Sequence, residues 1–467
     1  MRRSLQALLL LLAPLAAGAQ TQASADRSVL VARIDSLVAS HLTAGPAPSV
    51  ALAVVRGRDT IVFRGYGLAH RESRRAAGPT TIYEIGSLTK QYTAAAIMRL
   101  VEQGTVTLDD DLSRHVPSFP LQGKRVTIRQ LLNHTSGIHS YTNSPTWRTR
   151  WADDLPPDSI VGVVARDTFD FAPGTDYRYN NTGYVLLGMV IERASGTSYA
   201  DFLEREFFRP LGLRQTGYCP SRTTDTSFAA GYSRKDGAFV PAEYLSMTHP
   251  HAAGALCASV RDYLMWQRAL HGGRVVSPAS YAAMTTPDTL PSGRRHNYGF
   301  GLSVTPIGSH RAIVHSGGIN GFATMQAYLP AESLSVIAFT NTDAASPGPL
   351  TLNIARAVLG LPLMATPTLP PVVALPAAER DRLPGSYDLI QPNGKPFTIR
   401  VWVKNDALVA QAEGPGQGEI PLRHLGNLVF GAAFDPSLRF TFLRDGDRVT
   451  GARLVQGGAT LEGKRRE

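Results

Sequence analysis

The sequence predicts a large mixed domain of helices and antiparallel strands, followed by a small all-β domain. Three observations carry this. An alternating hairpin near the N-terminus and a strand meander after residue 297 enclose a long helical middle. A proline-rich stretch then interrupts the chain, and everything beyond it reads as short strands with tight turns. At 467 residues and 43% hydrophobic, the chain is long enough for a large core and more than one domain.

The N-terminus reads as an export signal. Arg2-Arg3 is a basic start, Leu5 to Leu15 is an apolar run, and Ala17-Gly18-Ala19 fits a cleavage site. Residues 1–19 are therefore expected to be removed near Ala19, leaving a periplasmic or secreted protein. The apolar run is too short to span a bilayer, and no later segment reaches ~18 unbroken apolar residues, so no integral membrane segment is expected. No cysteine follows the run to carry a lipid. The chain has two cysteines, Cys219 and Cys257. In an oxidising compartment that count reads as one disulfide, with two separate buried thiols as the alternative. The net charge of +10 is scattered, without a basic stripe interleaved with aromatics, so nucleic acid is excluded as a partner.

Residues 49–67, SVALAVVRGRDTIVFRGYG, form the hairpin, turning at Arg56-Gly57-Arg58-Asp59. The next segment, YEIGSLTKQYTAAAIMRLVEQG from Tyr83 to Gly104, is rich in helix formers once past Ser87. Ser87 and Lys90 stand one turn apart on one face, at a helix start where unpaired N–H groups and the dipole favour an oxyanion. An ordinary N-cap serine with a solvated lysine beside it has the same appearance, so the pair gains meaning only together with motifs further along the chain. Thr127 caps the short helix IRQLLNH, and Trp147, Trp151 and Pro156-Pro157 belong to an irregular passage or lid.

After Pro173-Gly174 the chain is extended, then Asn181 and Thr182 supply an N-cap for a helix ending at Gly196. Tyr179 and Asn181, two apart in the lead-in, face the same way. Helices come next at 198–209 and 259–271. His249-Pro250-His251 has no third ligand nearby, and no metal is expected. Strands at 298–304, 311–318, 322–330 and 334–341 turn at Gly308-Ser309, Gly317-Gly318 and Ala331-Glu332. Ser316-Gly317-Gly318 echoes a chymotrypsin-like nucleophile region, but the preceding Gly-Asp is missing. No Gly-x-Ser-x-Gly elbow occurs either, so both hydrolase classes are excluded. A helix at 349–360 closes the domain. Residues 363–384 form a proline-rich linker and 385–467 a small antiparallel barrel or sandwich.

Ser87-Leu88-Thr89-Lys90, Tyr179-Asn180-Asn181 and His315-Ser316-Gly317 occur in order, with LLNHTSGI and YNNTGYVLLG as lesser signatures. In these the chain, over about residues 28–362, resembles the serine β-lactamase and penicillin-recognising superfamily. Within it the likeness is to the class C β-lactamase-related group of D-alanyl-D-alanine carboxypeptidases, D-aminopeptidases and class C-like esterases. The tail resembles a lipocalin-like domain. The resemblance implies a β-lactamase/transpeptidase-like α/β (α+β) fold: an antiparallel sheet from the hairpin and the late strands, helices on both faces, and a helical insertion. It implies Ser87 as nucleophile, Lys90 as its activator and Tyr179 sharing the proton transfers. Asn181, His315 and Gly317 then bind substrate, and the Ser87 and Gly318 amides form the oxyanion hole. Whether Lys90 or an ionised Tyr179 is the base stays open.

The implied function is an exported serine hydrolase of small-molecule or peptide substrates, either D-amino-acid peptides or esters, without cofactor and with unspecified oligomeric state. A β-lactamase proper is one alternative; a catalytically silent binding or sensor protein on the same fold is another. His315 stands where the group usually has a lysine. A histidine titrating near neutrality still donates to a carboxylate, but more weakly than a permanent charge, so peptidase or esterase activity is expected to exceed β-lactamase activity.

Overall fold

The SVALAVVR run becomes strand β1, Ser49–Arg56, buried along seven of its eight residues. Alternate side chains leave opposite faces of a strand, so an unbroken apolar run must be covered twice. In the computed structural model Val50, Leu52 and Val54 pack with Ile34, Val38, Leu350 and Ile354. Ala51, Ala53 and Val55 join a second cluster that holds Tyr92, Ile97 and Tyr263. The structure describes residues 13–44, 47–144, 146–220, 223–364, 371–390, 396–413, 419–432, 435–456 and 459–466. They fall in two compact units, Met1–Met364 and Ala365–Glu467.

In the first unit β1 is followed by β2 (Asp59–His70), β3 (Arg75–Ala76), β4 (Ile82–Glu84), β5 (Thr216–Tyr218), β6 (Tyr232–Lys235), β7 (Ala238–Pro241) and β8 (Leu256–Ser259). Then come β9 (Ser303–Ile307), β10 (His310–Ile319), β11 (Phe322–Leu329) and β12 (Leu334–Thr340). The main sheet has the order β3-β2-β1-β12-β11-β10-β9. The hairpin and the late strands meet where β1 and β12 pair antiparallel, with Leu52 opposite Ala338. The Ala13–Ala44 and Gly348–Val358 helices cover one face, through residues such as Val38 and Ile354. On the other face lies the Thr89–Glu102 helix, eleven of whose fourteen residues are buried, as for a helix enclosed on all sides. β4, β8 and β5 form a separate small sheet beside it.

Several sequence expectations are corrected. The first meander strand is Ser303–Ile307, not 298–304; residues 298–302 turn back, with Phe300 N–H donating to Met284 O (3.0 Å). Gly317-Gly318 lies inside β10, and the reversal falls at Asn320-Gly321. The 198–209 helix is a helix over Tyr199–Leu203, a wider π turn over Glu204–Phe208 and a last turn at Arg209–Leu211. Apart from these corrections, the described part of the N-terminus is the Ala13–Ala44 helix, which contains the expected site near Ala19, and Arg2-Arg3 and most of the Leu5–Leu15 run lie outside the described residues. No described helix is long and apolar enough to cross a membrane.

The second unit holds β13 (Gly385–Ile390), β14 (Pro396–Lys404), β15 (Ala407–Ala412), β16 (Ile420–Pro421), β17 (Arg423–His424), β18 (Val429–Ala432), β19 (Asp435–Asp445), β20 (Arg448–Gln456) and β21 (Ala459–Arg465). They form one antiparallel sheet with β16 and β17 at its edges. Leu422 alone separates those edge strands, and its N–H donates to Leu408 O, so the sheet curls into a nearly closed nine-stranded barrel. Tyr387, Phe440 and Phe442 fill it. Part of the expected linker belongs to this unit: a helical turn at Ala377–Arg380 leads to buried Leu383, whose carbonyl accepts from Tyr387 Oη (2.6 Å).

Cys219 and Cys257 are bonded, tying the end of β5 to β8 across 38 residues. The bridge sits in a small core with Trp151, Leu245 and Met247. Closing a loop of that length is worth about 4 kcal/mol in the chain-entropy treatment. The Cys219→Ser/Cys257→Ser double variant is therefore expected to lose stability on that scale in urea unfolding, with m unchanged or raised by the less constrained unfolded chain. An unchanged midpoint would show that the bridge constrains nothing.

Candidate active site

Ser87 sits on a single 3₁₀ turn, Gly86–Leu88, between β4 and the buried helix. Two approaches fix that turn. Ile85 N–H donates to Leu256 O of β8 (3.0 Å), and Gly86, at φ +50°, lies against β10 so closely that a Cβ would come within 2.9 Å of Gly318 N. Only glycine fits there. Gly317 faces the same contact from β10, where a Cβ would stand 2.1 Å from Ile85 O. Gly317 thus spaces the strand from the serine turn and is not among the cavity-lining residues. A Cβ on Gly318 would meet open space.

Lys90 lies one turn on and is fully buried. Its Nζ has three partners: Ala253 O at 2.7 Å, Asn181 Oδ1 at 2.8 Å and Ser87 Oγ at 3.1 Å. Two of these are carbonyl oxygens, which only accept. Burial without a carboxylate partner holds the Lys90 pKa well below that of a free lysine. A neutral amine has two hydrogens and one lone pair. With both hydrogens on the carbonyls, the lone pair faces Ser87, whose hydroxyl donates to it.

The Tyr179-Asn180-Asn181 segment reaches Lys90 from the insertion. Asn180, not Asn181, is the N-cap: its Oδ1 accepts from Gly183 N (2.8 Å) and its Nδ2 donates to Ile138 O. Capping one residue early leaves the Asn181 side chain free to turn inward. There Oδ1 accepts from Lys90 and Nδ2 donates to Thr142 Oγ1 (3.3 Å), so Asn181 orients the lysine and keeps a second Nδ2 hydrogen for the expected substrate contact. The Tyr179 ring centroid is 4.9 Å from Lys90 Nζ, and Tyr179 lines the same cavity as Ser87. Desolvation by burial raises the Tyr179 pKa. With 37% of the residue exposed the shift is tempered, yet the phenol is protonated at neutral pH either way.

His315 lines the cavity on β10 but does not titrate near neutrality. Burial, with the Lys90 amine as a lesser cause, pushes its pKa down to about 4. Its Nδ1 lies 2.6 Å from Ser316 O and therefore carries the hydrogen. Its Nε2 accepts from Tyr298 Oη at 2.8 Å. Both nitrogens are spent within the protein.

Tyr298 and His134 are the residues that sequence reasoning missed. The turn at 298–302 swings Tyr298 inward, and His134, from the LLNHTSGI stretch, packs its ring tilted at 4.4 Å from both Tyr179 and Tyr298. His134 adopts φ +63°, rare for a non-glycine residue. Its Nδ1 accepts from Asn180 N (3.1 Å) and its carbonyl from Arg178 N (3.1 Å), so it clamps the Tyr179 segment. The LLNHTSGI signature was the available signal for His134; nothing local marked Tyr298. His249 and His251 do not pair on a metal: His249 bonds Trp147 Nε1 and Asp153 O, and His251 faces Tyr218 Oη.

The arrangement can activate a hydroxyl. A Lys90 pKa held low in the fold means the proton-accepting amine is present above that pKa and is lost as pH falls through it. Acylation of Ser87 by a fluorophosphonate is thus expected to reach its plateau well below the ordinary lysine range and to fall tenfold per unit on the acid side of the Lys90 pKa. Lys90→Ala should lose roughly 10³-fold. A rate that keeps climbing toward the ordinary lysine range near 10.4 would contradict it.

The Beta-lactamase family profile matches residues 34–360. Penicillin-binding protein 4* of Bacillus subtilis (strain 168) is 32% identical over 293 residues, 58% of this chain and 62% of that protein. A D-aminopeptidase of Gluconobacter oxydans (strain 621H) is 26% identical over 341 residues, 71% of this chain and 62% of its own. The chain thus spans about 62% of the length of these curated relatives. Among solved structures, the octameric penicillin-binding protein homologue from Pyrococcus abyssi superposes with TM-score 0.66 at 25% identity, covering 92% of this chain and 99% of that one. The D-amino acid amidase from Ochrobactrum anthropi SV3, complexed with L-phenylalanine amide, gives 0.62 at 25% identity, covering 71% and 99%. With the profile spanning more than half its length, the chain belongs to the Beta-lactamase family.

Proposed function

We propose that this protein is an exported serine hydrolase that works through a Ser87 acyl-enzyme on D-amino-acid-containing peptides, their amides, or esters. The observation that carries this reading is the uncharged environment of Lys90, whose Nζ lies 3.1 Å from Ser87 Oγ and otherwise meets two carbonyl oxygens. In the proposed cycle Lys90 takes the Ser87 proton as Oγ attacks the substrate carbonyl, and the Ser87 and Gly318 N–H groups hold the oxyanion. The Tyr179 phenol gives its proton to the departing amine or alcohol and is resupplied from the Lys90 ammonium. Water then enters, the same groups run in reverse, and the acid is released. The names of the relatives, a D-aminopeptidase and a D-amino acid amidase, support amide substrates. The disulfide and the apolar N-terminus support export.

β-Lactamase activity proper is disfavoured by His315, which supplies no cation for a β-lactam carboxylate. The described residues of the serine site all belong to the first unit, so residues 385–467 are proposed to contribute no chemical group. Treatment with a fluorophosphonate or penicillin is expected to add one adduct, mapped to Ser87. Small esters or D-amino-acid amides should turn over with kcat/KM above that of a chromogenic cephalosporin, and Ser87→Ala should abolish both adduct and turnover. Retained turnover in Ser87→Ala would remove the nucleophile from the scheme and leave a binding or sensor role.

A further inference from the structure

The cavity beside Ser87 encloses about 410 Å³ and, among the described residues, carries no aspartate, glutamate, lysine or arginine on its walls. Its polar surface consists of neutral hydroxyl and amide groups: Tyr177, Tyr179, Asn297, Ser303 and Thr305, with Ser316 on the β10 side. Asn297 is itself engaged, donating from Nδ2 to Thr305 Oγ1 at 2.9 Å. His315 supplies the imidazole of these walls, and it cannot serve as a cation or as a donor. Its Nδ1–H is committed to the Ser316 carbonyl and its Nε2 lone pair to the Tyr298 hydroxyl. Protonating it would force the Tyr298 bond to reverse and would place a charge in a buried aromatic cluster beside Lys90. Tyr298 is in turn held by His134 at 4.4 Å and by Tyr179 at 5.9 Å, so the tyrosine–histidine pair has little freedom to part.

A carboxylate entering this cavity finds no cation, and an ammonium finds no anion. Either would exchange its water shell for neutral dipoles, which is unfavourable unless a charge pairs with it. A neutral acyl, amide or ester group finds hydroxyl donors and acceptors along with the apolar surfaces of Val314 and Met325.

We propose that the substrate portion seated in this cavity is uncharged, so that the enzyme selects neutral esters and blocked amides over substrates presenting a free carboxylate or a free ammonium there, and that Tyr298 sets this selection by holding His315 neutral. Tyr298 acts as a positioning residue. The proposal rests on the Ser87 acyl-enzyme reading above and narrows its substrate class.

The test uses two matched sets of aryl esters on the full chain. One set varies the acyl half as pentanoate, hemisuccinate and 4-aminobutyrate; the other varies the alcohol half with neutral, carboxylate and ammonium substituents. In at least one half, both charged members are expected to show kcat/KM at least tenfold below the neutral member at pH 7.5. If in neither half both charges cost tenfold, the proposal is overturned. His315→Lys is expected to recover the carboxylate member and not the ammonium member, and recovery of both or neither contradicts the assignment to His315. Tyr298→Phe frees Nε2 and should raise the pKa of His315, followed on its own imidazole resonance (the one absent in His315→Gln); an unmoved His315 titration contradicts the role of Tyr298. Fluorophosphonate labelling of Ser87 in the same preparation separates the two levels. No labelling and no turnover removes the acyl-enzyme reading and this inference together, whereas labelling with indifferent turnover of charged esters removes this inference alone.

Discussion

A lysine without a counter-ion is the constraint on which the rest of the structure depends. Lys90 is fully buried, and its Nζ meets only oxygen atoms of neutral groups. Water would solvate an ammonium; this site does not, and the amine is therefore held ready to accept a proton. Three remote segments must converge for that to hold. The 3₁₀ turn supplies Ser87, the insertion supplies Asn181, and the short helix before β8 supplies the Ala253 carbonyl. Thr93, on the same buried helix as Lys90, binds the neighbouring Ala252 carbonyl at 2.6 Å, and so fixes that strand entry a second time.

Close backbone approach is the second condition. Gly86 and Gly317 let the serine turn touch β10, bringing the Gly318 amide beside Ser87. β9 stops pairing at Val314, so the part of β10 from His315 onward has an unpaired edge on the cleft side. Rigid aromatic packing then completes the wall. His134, Tyr179, Tyr298 and His315 contact one another ring to ring, and such contacts fix orientation as much as they add stability.

Much of this was legible in the sequence because it is local. The hairpin turns where its Arg56–Asp59 stretch was read, Thr127 caps its helix, and the three motifs in order place Ser87, Lys90 and Tyr179 together. What failed depends on tertiary contacts. Asn180 and Asn181 are chemically identical as caps, and only the position of Lys90 decides which one turns inward. Gly317-Gly318 looks like a turn because glycine allows one, yet a neighbouring turn requires glycine inside a strand. His315 was expected to titrate near neutrality, since neither its burial nor its bond to Tyr298, seventeen residues away, is visible in a linear pattern. Tyr298 was counted as a strand residue for the same reason.

The ionisation state of Lys90 is the most direct test of a neutral base in the resting enzyme. The chain has only six lysines, so protein carrying ¹³C at lysine Cε gives a spectrum in which each can be followed through a pH titration. One resonance, absent in Lys90→Arg, is expected to titrate well below the other five. Six resonances that all titrate together near 10.4 would mean that Lys90 is an ammonium in the resting enzyme, and the proposed base would be lost.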